Sequence, residues 1–302
     1  MRVIVDTDPA LGKKMGEVDD GLALIFMLNH PELYEIEGIT TVFGNSHVTK
    51  GFKLIKTYLE LFNKQNIPHF MGARSKENLG VLNEASEFLI SKVKEYPNEI
   101  TLLTLGPLTN ISTAILKFPE FLDNLKQVVF MGGTIEPTNA FNDIFRFTPQ
   151  EQFNMTELNF FNDPLATKIF IEAKTKTPRI GIGLDVSCKV VFKDSHLDMI
   201  KAKNTPRSEF LVKYLEPWLT LWKNNVSEGF YPFDTIVPIQ LMRKDFFNYI
   251  DVILEVDTEI VPGKLTIKNF DNNVSRPISY AMDFATEDSK IEFMNLLISG
   301  LC

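Results

Sequence analysis

The sequence predicts an α/β fold in which helices flank a mostly parallel sheet, with a few antiparallel strands near the C-terminus. Two observations predict it. Short apolar runs such as RVIVD and LKQVVFM alternate with longer stretches of helical period such as DDGLALIFMLNH. Each early run also ends on polar or glycine residues: Asp6 and Asp8 after RVIV, Asn45 after ITTV, Gly106 after LLTL and Gly132-Gly133 after VVFM. Strands that alternate with helices form right-handed crossover units, and such sheets gather ligands at the carboxyl ends of their strands.

RVIVD is the first strand and DDGLALIFMLNH the first helix; YEIEGITTV and HVTKGFKLIKTYLELF repeat the unit, and ITLLTL, PLTNISTAIL and LKQVVFM continue it. NDPLATKIFIEA opens a helix, with Asp163 as N-cap and Pro164 at the first helical position. RIGIGLDV reads as a further strand. From Ser195 to Phe247 the pattern is mainly helical, and Pro217 within RSEFLVKYLEPWLTLWKNNV marks a kink or break. YIDVILEVDTEIV, KLTIKNF and RPISYAM read as antiparallel strands, and TEDSKIEFMNLLIS as a closing helix. With no repeat, low-complexity tract or linker, residues 1–302 read as one domain built on a Rossmann-like sheet.

A chain of 302 residues that is 44% hydrophobic can bury a sizeable core. Its net charge of -8 disfavours nucleic acid or an anionic membrane as partner, because both polyanions are repelled on average. A small neutral or cationic ligand is easier to accommodate. Cys188 and Cys302 are too few for a disulfide framework or thiolate metal site, and read as a buried thiol and a frayed end. The first residues lack a signal peptide's apolar length, and no apolar run reaches the roughly 18 residues of a membrane helix. A cytoplasmic location is the expectation.

The segment DTDPALGKKMGEVDD gathers Asp6, Asp8, Asp19 and Asp20 in fifteen residues. Strand alternation lets Asp6 and Asp8 face one site. Asp19 and Asp20 fall at the amino end of a helix, where free N–H groups and the dipole favour carboxylates, so alone they are an ordinary acidic cap. Four together repel one another unless a proton or cation intervenes. Oxygen donors without Cys and with few His favour Ca²⁺ or Mg²⁺ over zinc, and a carboxylate left off the metal can act as general base on a bound water.

DTDP, DDGLALIFML and ITTVFGN resemble the amino-terminal signature of the inosine-uridine type nucleoside hydrolases. TLGPLTNIS, VVFMGG, TELNFFNDPLA, GLDVSCKV and YPFDTIVP resemble later segments of that family, in order, to about residue 238. The resemblance implies a calcium-dependent ribonucleoside hydrolase of purine or pyrimidine salvage, acting on a nucleoside as a homodimer or homotetramer. It makes Asp8, Asp20, the Leu105 carbonyl and Asp234 the Ca²⁺ ligands, Asp19 the base and Asp6 a support of the turn. Asn45, Glu157 and Asn159 match positions that hydrogen-bond ribose hydroxyls. These residue types suit the reaction: cleavage of an N-ribosidic bond passes through an oxocarbenium-like state that favours anionic surroundings, an oriented diol and an activated water.

Three departures stand out. The family usually follows Asp-x-Asp-Pro with Gly and reaches Asp-Asp two residues later; here the nine residues Ala10 to Val18 intervene, with Lys13 and Lys14 between Gly12 and Gly16. They read as a solvated turn or as a lid over the sugar. Many members place a leaving-group His just before the last metal Asp, and here Phe233 stands there. Tyr231, Phe233, Trp218, Trp222 and His47 are the candidates for contact with the base, each also readable as core packing or, for His47, an ordinary helix start. The segment after Met-Gly-Gly is longer than usual and carries a further ribose candidate, Asn154 first and Asn142 second, among Phe141, Phe145, Phe147 and Phe153.

Two other readings start from the same residues. A haloacid dehalogenase-type Mg²⁺ phosphatase would use Asp6 as nucleophile and Asp8 as acid/base, but leaves TTVFGN, TELNFFNDP and YPFD unexplained. A protein that binds a nucleoside or ribosyl ligand without turnover would suit Phe233, but the intact Asp19 argues against it.

Overall fold

In a computed structural model of the chain, which describes residues 1–136, 156–268 and 277–302, nine strands form one sheet: β1 (Arg2–Thr7), β2 (Glu35–Thr41), β3 (His69–Met71), β4 (Thr101–Thr104), β5 (Gln127–Met131), β6 (Arg179–Ile182), β7 (Phe247–Val256), β8 (Leu265–Lys268) and β9 (Ile278–Phe284). Their order is β3-β2-β1-β4-β5-β6-β9-β7-β8. Pairings from β3 through β6 to β9 are parallel, and β7 pairs antiparallel with β9 and β8.

Alternation along the strands sorts apolar side chains into two cores. Val3, Val5, Leu103 and Val129 belong to one, and Ile4, Leu102, Val128 and Phe130 to the other, as expected when helices cover both faces of a parallel sheet. The first core takes α1 (Asp19–Leu28) and α2 (Val48–Leu61); the second takes α3 (Glu84–Glu95) and α4 (Thr109–Lys117). Every residue of α1 is buried, which explains a run that is apolar on all sides after its two acids.

Beyond β5 come α5 (Leu158–Asn162), α6 (Pro164–Ile171), α7 (Leu184–Ser187), α8 (Asp194–Lys201), α9 (Pro206–Asn225), α10 (Ile236–Met242) and α11 (Glu287–Gly300). Asp163 caps α6 by accepting from the Ala166 N–H at 3.0 Å, with Pro164 at the first helical position. Buried Arg179 donates to the Phe170 and Ile171 carbonyls at the other end of that helix.

Four details correct the sequence reading. RIGIGLDV is half strand: β6 stops at Ile182, and the Gly183 carbonyl accepts from the Val186 and Ser187 N–H groups, winding LDVS into α7. Pro217 does not break α9, which stays helical over 20 residues; it lies on the exposed face, where water can serve the carbonyl that lost its donor. The strand from RPISYAM lies parallel to β6 on one side and antiparallel to β7 on the other. Cys188 and Cys302 are both half-buried. β3 and α3 lie in a stretch that the pattern left unassigned, because three residues are too short to show alternation and α3 is polar on most positions.

Asn110, wholly buried at the start of α4, ties the strand ends together. Its Nδ2 donates to Asp6 Oδ1 at 2.8 Å and the Thr41 carbonyl at 3.0 Å, while its Oδ1 accepts from the Ala73 N–H at 2.9 Å. Replacing Asn110 by Ala removes three buried hydrogen bonds and leaves the Ala73 N–H without its partner, and should lower unfolding stability by about 2–4 kcal/mol. A urea titration showing an unchanged midpoint would refute that role.

Candidate active site

β1 delivers its carboxyl end to the middle of the sheet, between β2 and β4. Asp6 Oδ1 accepts from Thr40 Oγ1 at 2.5 Å as well as from Asn110, and its Oδ2 is buried without a partner. Two residues on, Asp8 Oδ2 accepts from the Asn45 N–H at 2.5 Å, while Oδ1 is buried and unpartnered. Gly44 and Gly106 leave room for it: a Cβ on either would come within 1.9 and 2.7 Å of the Asp8 carboxylate oxygens.

The amino end of α1 adds two more carboxylates. Asp20 accepts from the Thr7 hydroxyl, from the Asp8 N–H at 3.1 Å and from Asn45 Nδ2 at 3.2 Å. Asp19 Oδ1 accepts from the Asp20 N–H at 3.0 Å. Asp234 arrives from more than 200 positions away, on the short turn Phe233–Thr235 that leads into α10. Asp19, Asp20 and Asp234 each offer an oxygen within 4.8 Å of the others, and all three are buried. Asp8 is outside this triad; its charge acts on Asp234, and Asp20 and Asp19 act on it.

Burial first and repulsion from neighbouring carboxylates second, Glu17 among them for Asp19, raise the carboxyls of Asp8, Asp19 and Asp234 well above the usual range. Asp20 is raised by burial and partly relieved by the Thr7 and Asn45 donors. Burial pushes Asp6 up to about 7 against the opposing Thr40 and Asn110 hydrogen bonds. The compact triad of oxygen donors, with the orphaned buried Oδ1 of Asp8 nearby, fits a divalent cation, and the lack of nitrogen or sulfur among the donors points to a hard one.

A pocket opens beside the cluster. Among the described residues it is lined by the polar and acidic Asp19, Asp234, Asn45, Glu157 and Asn159, by Trp222, Phe233, Leu184, Leu158 and Met131, and by Glu17. Asn159 Nδ2 donates to the Leu105 carbonyl at 2.7 Å, which places that carbonyl beside the sugar candidates. Glu157 is the N-cap of α5, taking the N–H groups of Asn159, Gly133 and Phe160 at 2.6, 3.0 and 3.1 Å. Burial pushes it up to about 7 even so.

Of the aromatic candidates, Trp222 and Phe233 face the pocket. Tyr231 is buried between them, 5.5 Å from Trp222 and 5.6 Å from Phe233 by ring centroids, and Trp218 packs edge-on against Trp222 at 6.3 Å. His47 is exposed at the start of α2, with Nδ1 2.9 Å from Thr49 Oγ1, and does not line the pocket. Asn154 and Asn142 lie outside the described residues. Sequence reasoning gave no role to Glu17, Asn110 or Asp185. Asp185 accepts from the Ile135 and Glu136 N–H groups, and its signal was the GLDV segment.

The family model described as "Inosine-uridine preferring nucleoside hydrolase" matches residues 3–288. Uridine nucleosidase 1 of Arabidopsis thaliana is 27% identical, over 85% of this chain and 79% of that one. The pyrimidine-specific ribonucleoside hydrolase RihA of Shewanella sp. (strain MR-7) is 28% identical, over 99% and 95%. Among solved structures, a purine-preferring ribonucleoside hydrolase from Gardnerella vaginalis superposes with a TM-score of 0.83 at 20% identity, covering 100% of this chain and 99% of that one.

The raised carboxyls make a stability prediction. Asp6 and Glu157 titrate near 7 when folded without a cation, against about 4 when unfolded, so their contribution is full below pH 4 and is lost as pH rises through 7. Chelator-treated protein should melt at a lower temperature at pH 8.5 than at pH 5.5, and millimolar Ca²⁺ should recover most at the higher pH. A chelated melting temperature that rises over this interval would contradict the repulsion.

Proposed function

The chain belongs to the inosine-uridine preferring nucleoside hydrolase family, and from that premise we propose that its pocket cleaves ribonucleosides to ribose and free base by attack of a calcium-activated water, with Asp19 as base. That it is a hydrolase acting on N-glycosyl compounds follows from the family match and its curated relatives. The observation that carries the mechanism is one pocket lined both by carboxylates and amides, Asp19, Asp234, Glu157, Asn45 and Asn159, and by the aromatics Trp222 and Phe233.

The proposed cation is Ca²⁺, with Asp8, Asp20, Asp234 and the Leu105 carbonyl as its ligands; the orphaned Asp8 Oδ1 and the close approach of Asp20 to Asp234 support this set. When bound, Ca²⁺ supplies the charge that acidifies the attacking water and holds the 2'- and 3'-hydroxyls. Asp19 lines the pocket with Oδ1 held by the Asp20 N–H, which orients the carboxylate and leaves Oδ2 to take the water's proton. Asn45, Glu157 and Asn159 are the proposed ribose contacts. Asn159 spends its amide N–H on Leu105, so its Oδ1 accepts from a sugar hydroxyl. The surrounding carboxylates favour the positive charge that develops on the sugar.

In the same pocket Trp222 and Phe233 are the proposed platform for the base, backed by Tyr231 and Trp218. Phe233 cannot donate a proton, so stacking replaces the His of many members. The phosphatase reading gives no use to Asn45, Glu157 or Asp234. Among the described residues no helix is long and apolar enough to cross a membrane; a cytoplasmic location and a homodimer or homotetramer complete the proposal, the latter testable by light scattering.

With Ca²⁺, a panel of purine, pyrimidine and nicotinamide ribosides should release free base, and Asp19→Asn should lower kcat by roughly 10²- to 10⁴-fold while the protein stays folded. Wild-type protein no faster than Asp19→Asn on every riboside would overturn the hydrolase mechanism.

A further inference from the structure

The segment between the two halves of the acidic motif is a fixed part of the pocket wall. Ala10 and Leu11 are fully buried; the Tyr58 hydroxyl donates to the Leu11 carbonyl, and the Leu11 side chain fills the space left by Gly21, where a Cβ would come within 2.3 Å of it. The chain reverses through Gly12 and Met15, whose φ values are +110° and +56°, and the Gly16 N–H donates to the Lys13 carbonyl at 3.1 Å. Lys14 and Met15 form the exposed tip, and Val18 is again fully buried. Both ends being anchored, the segment is a turn rather than a free lid.

Glu17 sits on the returning limb, one residue before that second anchor. The Val18 N–H donates to its Oε1 at 3.1 Å, which orients the carboxyl and leaves Oε2 for another partner. It lines the pocket together with Asp19, Trp222 and Phe233. Burial, with the charge of Asp20 beside it, pushes the Glu17 carboxyl up to about 8, opposed by the Val18 N–H and by the buried Trp218 indole N–H. Among the described residues the pocket wall also includes the apolar side chains of Leu158, Leu184 and Met131. A nucleobase stacked on Trp222 and Phe233 would give up its water hydrogen bonds, and among the described lining residues Glu17 is the polar one outside the proposed metal, base and ribose set, with a carboxyl oxygen to offer the N–H edge.

We infer that Glu17 is a specificity-determining residue that accepts hydrogen bonds from the ring N–H or exocyclic amino group of the bound nucleobase; this rests on the nucleoside hydrolase mechanism proposed above. An acceptor at this point favours bases that present N–H groups on the edge turned to the turn, and gives the inserted segment a role in substrate choice.

The test compares wild type, Glu17→Ala and Glu17→Gln on uridine, cytidine, inosine and adenosine and on p-nitrophenyl β-D-ribofuranoside, whose leaving group has no N–H edge. Glu17→Ala should lower kcat/KM by about 10- to 100-fold on the nucleosides that use the contact and leave the nitrophenyl riboside within about threefold. Glu17→Gln, which keeps one acceptor oxygen, should recover part of the loss and change the order of preference among bases. An equal fall on the nitrophenyl riboside would overturn the inference by placing the effect on the sugar or the acidic cluster. Unchanged kinetics on every nucleoside would overturn it too. Failure of the wild type on every riboside, nitrophenyl included, would instead remove the hydrolase mechanism beneath it.

Discussion

Like charges buried together at the carboxyl end of β1 are the constraint on which the rest of the site depends. Two unit charges 4.8 Å apart, the outer bound on the offered oxygens of Asp19, Asp20 and Asp234, repel by roughly 3 kcal/mol at an effective dielectric of about 20. Three such pairs, with Asp8 beside them, exceed what the hydroxyl of Thr7 and the amide of Asn45 return at about 1.5–3 kcal/mol per charged hydrogen bond. Protons or a divalent cation must make up the difference. The carboxylates are tolerated because rigid neighbours hold them: Asn110 and Thr40 on Asp6, the Asn45 N–H on Asp8, and glycines at 44 and 106 that give Asp8 its space.

That constraint organises the pocket. The carboxylates and amides supply what the proposed chemistry asks of a base, a diol clamp and negative surroundings, and the aromatic group lining the same pocket offers a face on which a planar leaving group can stack. Trp218, Trp222, Tyr231 and Phe233 form a continuous set of ring contacts from α9 to the turn carrying Asp234. The metal-site proposal and the base-site proposal therefore share one support: the turn Phe233–Thr235 presents an aromatic and a carboxylate from adjacent positions.

Where the sequence reading failed, a tertiary contact outvoted a local pattern. LDV looks like the end of a strand because Leu and Val suit one, yet the Gly183 carbonyl captures two N–H groups and starts a helix. Pro217 looks like a break, yet its ring faces solvent on a helix buried along Leu211, Leu215, Leu219 and Trp222. His47, two positions after Asn45, looked near the rim; the turn into α2 sends it outward while the Asn45 amide reaches Asp20.

By itself the sequence determined the alternation of strands and helices, the strand ends at which ligands gather, and the carboxylates that make a hard-cation site plausible. Those are local or periodic properties, set by side-chain alternation, helix starts and residue type. Only the tertiary structure decided that Asp234 closes on Asp19 and Asp20 across more than 200 residues, that Asn110 ties three strand ends together, and that Glu17 turns back into the pocket. The physical reason is that these depend on distance in space and on burial, and the interrupted motif DTDPALGKKMGEVDD acquires its geometry from Leu11 and Val18 seated in a core built by the rest of the chain.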